Sequence, residues 1–163
     1  SGDDDVLTAI SKGETYDSTL NALNKLKEAG IASSVMVLNG MGGRSLSTQH
    51  AINTARLMNE AQPEFLSTLV VSYPLGQERV VQGFTEAGFD YELPDQHELF
   101  VELRTFIDTL DLRDTVFRSD HASNYLPLKG TLGADKQALL SQLDTAINRP
   151  DSIRLRQEWQ RGL

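Results

Sequence analysis

Asp120 and His121 are the pair best suited by type to acid–base or metal chemistry, because a histidine beside a carboxylate can relay a proton or ligate a metal. They fall in Ser119 to Gly133, a stretch rich in turn formers that reads as an ordered loop after a strand. Neighbours in a loop need not face one site, and the plainer reading gives Asp120 a turn or cap bond and leaves His121 solvated or locally packed. The second concentration is the turn Asn39-Gly40-Met41-Gly42-Gly43, which closes a β-rich run. Backbone without side chains can lie close against a flat ligand, or turn from strand to helix through positive φ, and the residues leave both readings open. His50 and His97 fall on helical patterns and are expected at the surface, and Trp159 is expected to pack. The chain has no cysteine, which excludes disulfides, thiolate metal sites, a cysteine nucleophile and any cysteine-ligated cluster within it.

The elements that must position these residues alternate in periodicity. A short amphipathic helix over Val6 to Ile10 stops near Gly13, and Thr15 caps a second that carries Leu20, Leu23, Leu26 and Ala29 before Gly30. A strand from Ile31 to Leu38 follows, then a helix capped by Ser45 or Ser47 that carries Ile52, Ala55 and Met58 and ends at Pro63. Phe65 to Tyr73 is the second strand, apolar on both faces as expected of one buried in a parallel sheet. Residues Gln77 to Leu93 suggest a short helix through Val80 and Val81 and then irregular chain. Asp95 and Glu98 have capping-box spacing ahead of the stripe Leu99, Leu103, Phe106, Ile107 and Leu110. Thr115 to Arg118 is expected as the last strand, with a helix through Leu139, Leu140, Leu143 and Ile147 and a short C-terminal helix with Leu155 and Trp159. Strands alternating with helices imply an α/β fold with a mainly parallel sheet.

At 163 residues a single domain is the default. Fifteen basic against 23 acidic residues give a net charge of -8, which repels phosphate backbones and anionic membranes, so neither nucleic acid nor membrane is an expected partner. Arg149, Arg154, Arg156 and Arg161 gather near the end and read as a solvated helix face.

Three segments in order resemble the later part of the barrel in radical S-adenosylmethionine enzymes. Ser1-Gly2-Asp3-Asp4 with Val6-Leu7, a Lys-Gly and a helix ending Lys-Glu-Ala-Gly-Ile is similar to the segment after the fourth barrel strand. Val35 to Leu38 with Asn39-Gly40-Met41-Gly42-Gly43 resembles the fifth strand and its turn, with Arg44 where many members carry Glu or Asp. Ala55 through Pro63-Glu64-Phe65-Leu66 to Tyr73-Pro74-Leu75-Gly76 resembles the closing helix and sixth strand. Phe117 to Leu128 is similar to a stretch of uncharacterised bacterial iron–sulfur oxidoreductases of this superfamily.

The resemblance implies a partial TIM-type (β/α) barrel sector over residues 1–76, with a C-terminal extension over residues 77–163. It implies S-adenosylmethionine and a [4Fe-4S] cluster as cofactors of a longer cytoplasmic parent, with the cluster cysteines upstream of Ser1. This chain would give only part of the cofactor surface, through Ser1, Gly2, Asn39, Gly40, Gly42 and Gly43, and would be inactive by itself. Its expected partners are the missing N-terminal part of the same protein and, once cut from it, a second copy in a homodimer. A protein-interaction or small-ligand-binding module without catalysis is the rival reading, and a hydrolase or lyase using Asp120 and His121 ranks below it.

Overall fold

Residues 1–161 are described by the computed structural model, and two of its helices begin at reciprocal side-chain caps. The first helix, α1 (Asp4–Ala9), takes Asp3 as its cap, which accepts from Val6 N–H at 3.0 Å. In α2 (Tyr16–Glu28), Thr15 accepts from Ser18 N–H while Ser18 accepts from Thr15 N–H, the two-way cap that orders a first turn. After β1 (Ser34–Asn39), α3 (Ser47–Ala61) starts at Leu46 without a side-chain cap, since the Ser47 hydroxyl is turned elsewhere. Next come β2 (Phe65–Val70), α4 (Glu78–Glu86) and α5 (Gln96–Thr109), the last opened by the Asp95 and Glu98 capping box that its sequence announces. The chain finishes with β3 (Thr115–Ser119), β4 (Leu128–Leu132), α6 (Lys136–Asn148) and two single 3-10 turns at Pro150–Ser152 and Glu158–Gln160.

The strands form one open sheet in the order β1-β2-β3-β4, parallel across the first two pairings and antiparallel between β3 and β4. Register aligns Val35 with Leu66, Leu66 with Phe117 and Phe117 with Gly130, so these residues share one face. That face meets the apolar sides of α3, α5 and α6 in a core that includes Leu57, Met58, Phe106, Ile107, Phe117 and Leu143. The core draws on residues from both 1–76 and 77–163. The other face is not covered by a helix among the described residues: Met36 is 61% exposed, Phe65 47% and Leu38 37%.

Backbone parity makes β1 doubly open. The carbonyls of Ser33 and Asn39 accept from Phe65 N–H and Val71 N–H, so odd-numbered residues bond to β2 and Ser34, Met36 and Leu38 turn their backbone groups to the free edge. The same three residues carry the side chains of the uncovered face.

Four expectations change. The second strand ends at Val70 rather than Tyr73, and only Leu66, Thr68 and Val70 of it are buried, because helices pack on one face of the sheet and not on both. The stretch Ser119 to Gly133 contains β4, in which Leu128 and Leu132 are buried against the helices while Lys129 faces outward. The C-terminal helix around Leu155 and Trp159 is absent, replaced by the 3-10 turns, and Trp159 is 82% exposed rather than packed. His50 is buried at 2% exposure, whereas His97 is at the surface as expected.

Candidate functional site at the carboxyl ends of the parallel strands

In open α/β sheets, ligands gather beyond the carboxyl ends of the strands, where loops diverge. Here β1 runs into Asn39–Gly43 and β2 into Val71–Tyr73. The first turn is gripped from beneath by α5. Asn39 Nδ2 donates to Leu99 O at 3.0 Å, and Gly40 N–H donates to Glu102 Oε1 at 2.8 Å. The other Glu102 oxygen accepts from Ser47 Oγ at 2.7 Å, and His50 Nδ1 lies 3.2 Å from Oε1. The His50 and Glu102 side chains are each 2% exposed, so one buried carboxyl group ties the glycine turn to the first turn of α3. Arg44 adds an outer tie, pairing with Glu92 at 2.7 Å and Glu98 at 2.8 Å.

The glycines of this turn are tightly bordered by the chain itself. Gly40 has φ +87, and a Cβ there would stand 2.8 Å from Leu99 Cδ2. At Gly43, with φ +59, it would stand 2.9 Å from the Tyr91 ring, and at Gly42 3.0 Å from His50 Cβ and Leu46 O. Gly2 is likewise enclosed, donating its N–H to Thr54 Oγ1 at 3.0 Å. Ser1 Oγ accepts from Asp3 N–H at 3.1 Å. Of the six residues expected at a cofactor surface, Gly2 borders Asn53 and Thr54 and Gly42 borders Leu46 and His50, all on or next to α3, whereas Gly40 borders Leu99 and Gly43 borders Tyr91.

Asp120 and His121 are elsewhere, beyond β3. Asp120 is exposed, and His121 Nδ1 accepts from Ser123 N–H at 3.1 Å and lies 3.0 Å from Ser123 Oγ, a local turn contact. The loop around them is stapled to the end of β2: Asn124 Nδ2 donates to Thr68 O at 2.8 Å, and Ser123 Oγ accepts from Val70 N–H at 3.2 Å. Two tail arginines hold its outer side, which corrects the expectation of a solvated helix face. The Arg156 guanidinium donates to the carbonyls of His121, Asn124 and Asp120. Arg161 donates to Ser123 O and lies 3.9 Å over the Tyr125 ring. A basic side chain suits loop carbonyls because each guanidinium offers several fixed donors.

Between this loop, the end of β2 and the segment before α5 lies a crevice of about 290 Å³, with Val71, Tyr73, Leu93, Tyr125 and Arg161 on its walls. Burial, then the hydrogen bond to Glu158, pushes the Tyr125 hydroxyl up to about 12. Burial also raises Tyr73, and Tyr91 is raised by burial together with the hydrogen bond it shares with Tyr73. These phenols hold their protons at neutral pH, and those of Tyr73 and Tyr125 line the crevice as hydrogen-bonding groups. Among the described residues, no group of three or more metal-ligating side chains comes together.

No protein-family model, curated protein or solved structure matches the chain. The sequence leaves Glu102 unmarked, and it marks Ser47 as a helix cap and Arg156 and Arg161 as a solvated cluster rather than as the ties they are. One signal for Glu102 is present: it falls between Leu99 and Phe106 on the apolar stripe of α5, where a carboxyl group needs buried donors.

Proposed function

We propose that this chain is a sector of a radical S-adenosylmethionine oxidoreductase barrel, giving part of the cofactor-binding surface without the cluster ligands. The observation that carries the reading is the one-sided sheet. Consecutive parallel strands, with helices packed on one face only and a glycine turn at the carboxyl end of β1, are what a barrel wall requires. Of the six residues expected to contact the cofactor, all but Ser1 are buried by the chain itself, so the open sheet and not these residues carries the reading.

The two cofactors fit this chain differently. A [4Fe-4S] cluster has no thiolate here, so it would belong to the parent protein upstream. For S-adenosylmethionine, Asn39 Nδ2 and Gly40 N–H are already engaged by Leu99 O and Glu102, so adenine would meet the turn as a surface rather than as a set of donors. The cofactors supply radical chemistry when bound, and these residues would orient and shield. The open sheet face equally favours the rival reading, a small-ligand-binding module without catalysis.

The gene upstream of Ser1 separates the two readings. Three cysteines spaced Cys-x3-Cys-x2-Cys are expected there, and a stop or a secretion signal immediately before Ser1 would rule the proposal out. On the chain itself, reconstitution with iron and sulfide is expected to give no [4Fe-4S] absorbance, and calorimetry weak or no heat with S-adenosylmethionine. Stoichiometric cluster absorbance would contradict the assignment.

In the same reading the free edge of β1 is a seam, and the chain by itself pairs there with a second copy. Ser34, Met36 and Leu38 carry neither charge nor proline, the usual guards of an edge. A two-fold axis at Met36 would set Ser34 opposite Leu38 of the second copy and join two sheets into one. Light scattering across a concentration series is expected to approach the dimer mass, and Met36→Pro to return the monomer. A monomer at the highest soluble concentration, with β1 amides slow to exchange, would show that the edge is protected within one chain.

A further inference from the structure

Register places Met36, Ser67, Arg118 and Lys129 in one row across the uncovered face, with Ser34, Phe65, Val116 and Thr131 in the row beside it. Strands are about 4.8 Å apart, so the row runs roughly 14 Å from an apolar end on β1 to a basic end on β4. Arg118 and Lys129 stand directly opposite each other on antiparallel strands, an arrangement that like charges disfavour. Neither makes an ion pair among the described residues, although acidic residues outnumber basic ones by 23 to 15 in the chain. Asp120, the next residue on that side of the chain, is exposed and does not pair with Arg118. The Arg118 guanidinium is braced by Nη1, which donates to Phe117 O at 2.7 Å and approaches Gly130 O at 3.4 Å, while Nε and Nη2 make no hydrogen bond among the described residues.

We propose that this face binds a small amphipathic anion, its acidic head on Arg118 and Lys129 and its apolar body on Met36, Leu38 and Phe65. Charge complementarity selects the head, and the three exposed apolar side chains select the body. A macromolecular partner fits less well. Three such side chains fall well short of the roughly 800 Å² per partner of a stable protein interface. The net charge of -8 works against nucleic acid and anionic membranes. In a barrel wall this face would look inward, so naming the anion a substrate rests on the proposed function, whereas its binding does not. Pairing at the β1 edge lies in the plane of the sheet and leaves the face open.

The test uses 1-anilinonaphthalene-8-sulfonate and its neutral counterpart N-phenyl-1-naphthylamine, titrated by fluorescence into the full chain. The sulfonate is expected to bind saturably at one site and at least tenfold tighter than the neutral probe. Arg118→Gln combined with Lys129→Gln should weaken the sulfonate at least tenfold and the neutral probe less than twofold, with an unchanged thermal midpoint. Phe65→Ser should weaken both probes. Unaltered sulfonate affinity in the double variant overturns the proposal, as does a dimer that Phe65→Ser dissociates, since a second copy would then occupy the face. Neither readout involves a cluster, so failure here leaves the upstream-cysteine result independent, and the reverse holds as well.

Discussion

Glu102→Ala is expected to destabilise the fold by about 3–5 kcal/mol, because it removes the shared acceptor of a buried cluster and leaves its donors stranded. Gly40 N–H, Ser47 Oγ and His50 Nδ1 all converge on this carboxyl group. A cavity beside His50 and Phe106 already exists at about 10 Å³, so the deletion enlarges a void rather than making one, and water entering it would recover only part of the loss. For a chain of this size the thermal midpoint should fall by roughly 10 °C. Glu102→Gln keeps a carbonyl for Gly40 and sets its amide against Ser47 Oγ, which can accept, and should cost about 1–2 kcal/mol. The site-specific readout is hydrogen exchange: the Gly40 amide should lose protection in the alanine variant by more than amides of α6. A midpoint within about 3 °C of the wild type would show that the cluster is not what holds the turn.

This cluster also marks the limit of what the amino-acid pattern conveys. The capping boxes at Thr15 and Asp95 are local, each needing only residues three apart, and both helices start where those residues say. The first two strands, β1 and β2, are equally local, as apolar runs bounded by turn formers. Glu102 and His50 meet across 52 positions of sequence, and neither looks unusual within its own helix until α3 and α5 are known to pack together. The helical spacing that put His50 at the surface tracked one apolar stripe, whereas α3 buries His50, Ala51, Thr54 and Ala55 across a broader face against both α5 and the sheet.

The strand β4 was hidden for a different reason. In Leu128-Lys129-Gly130-Thr131-Leu132 the middle inward position is a glycine, so the alternation is visible only at its two ends. Glycine is required there by the neighbour rather than by backbone conformation, since a Cβ would stand 2.9 Å from Asp135 Cβ. Asp135 in turn accepts from Thr131 N–H at 2.8 Å, tying the end of β4 to the start of α6. The tail arginines were legible as a cluster but not as ties, because their partners are backbone carbonyls, which no pattern of residue types records.

Gly83→Ala is expected to lower stability by about 2–3 kcal/mol, although alanine is favoured over glycine within a helix by about 1 kcal/mol. The two effects oppose each other, and the surroundings of α4 decide the sign. A Cβ on Gly83 would collide with the carbonyl oxygen of Ala9 and stand 3.1 Å from its carbonyl carbon, both backbone atoms at the end of α1. No rotamer change relieves that contact, so α1 must move away from α4. Val6 and Phe84 are each 0% exposed in the cluster those two helices share, and separating them returns apolar surface to water at about 1.5–3 kcal/mol per side chain if exposure were complete. Partial separation suffices to outweigh the propensity gain. The displacement should also reach the expected cofactor surface, because α1 follows directly on Gly2 and Asp3, whose bonds to Thr54 and Asn53 fix the chain start against α3. Thermal unfolding should show a midpoint lower by roughly 5–10 °C, and hydrogen exchange should show α1 amides and Gly2 opening faster while α5 and α6 keep their protection. Thr85→Ala, an exposed change in the same helix, should stay within about 0.5 kcal/mol of the wild type. A Gly83→Ala variant more stable than the wild type would mean that α1 yields at no cost, and that its packing on α4 does not hold the amino-terminal residues in place.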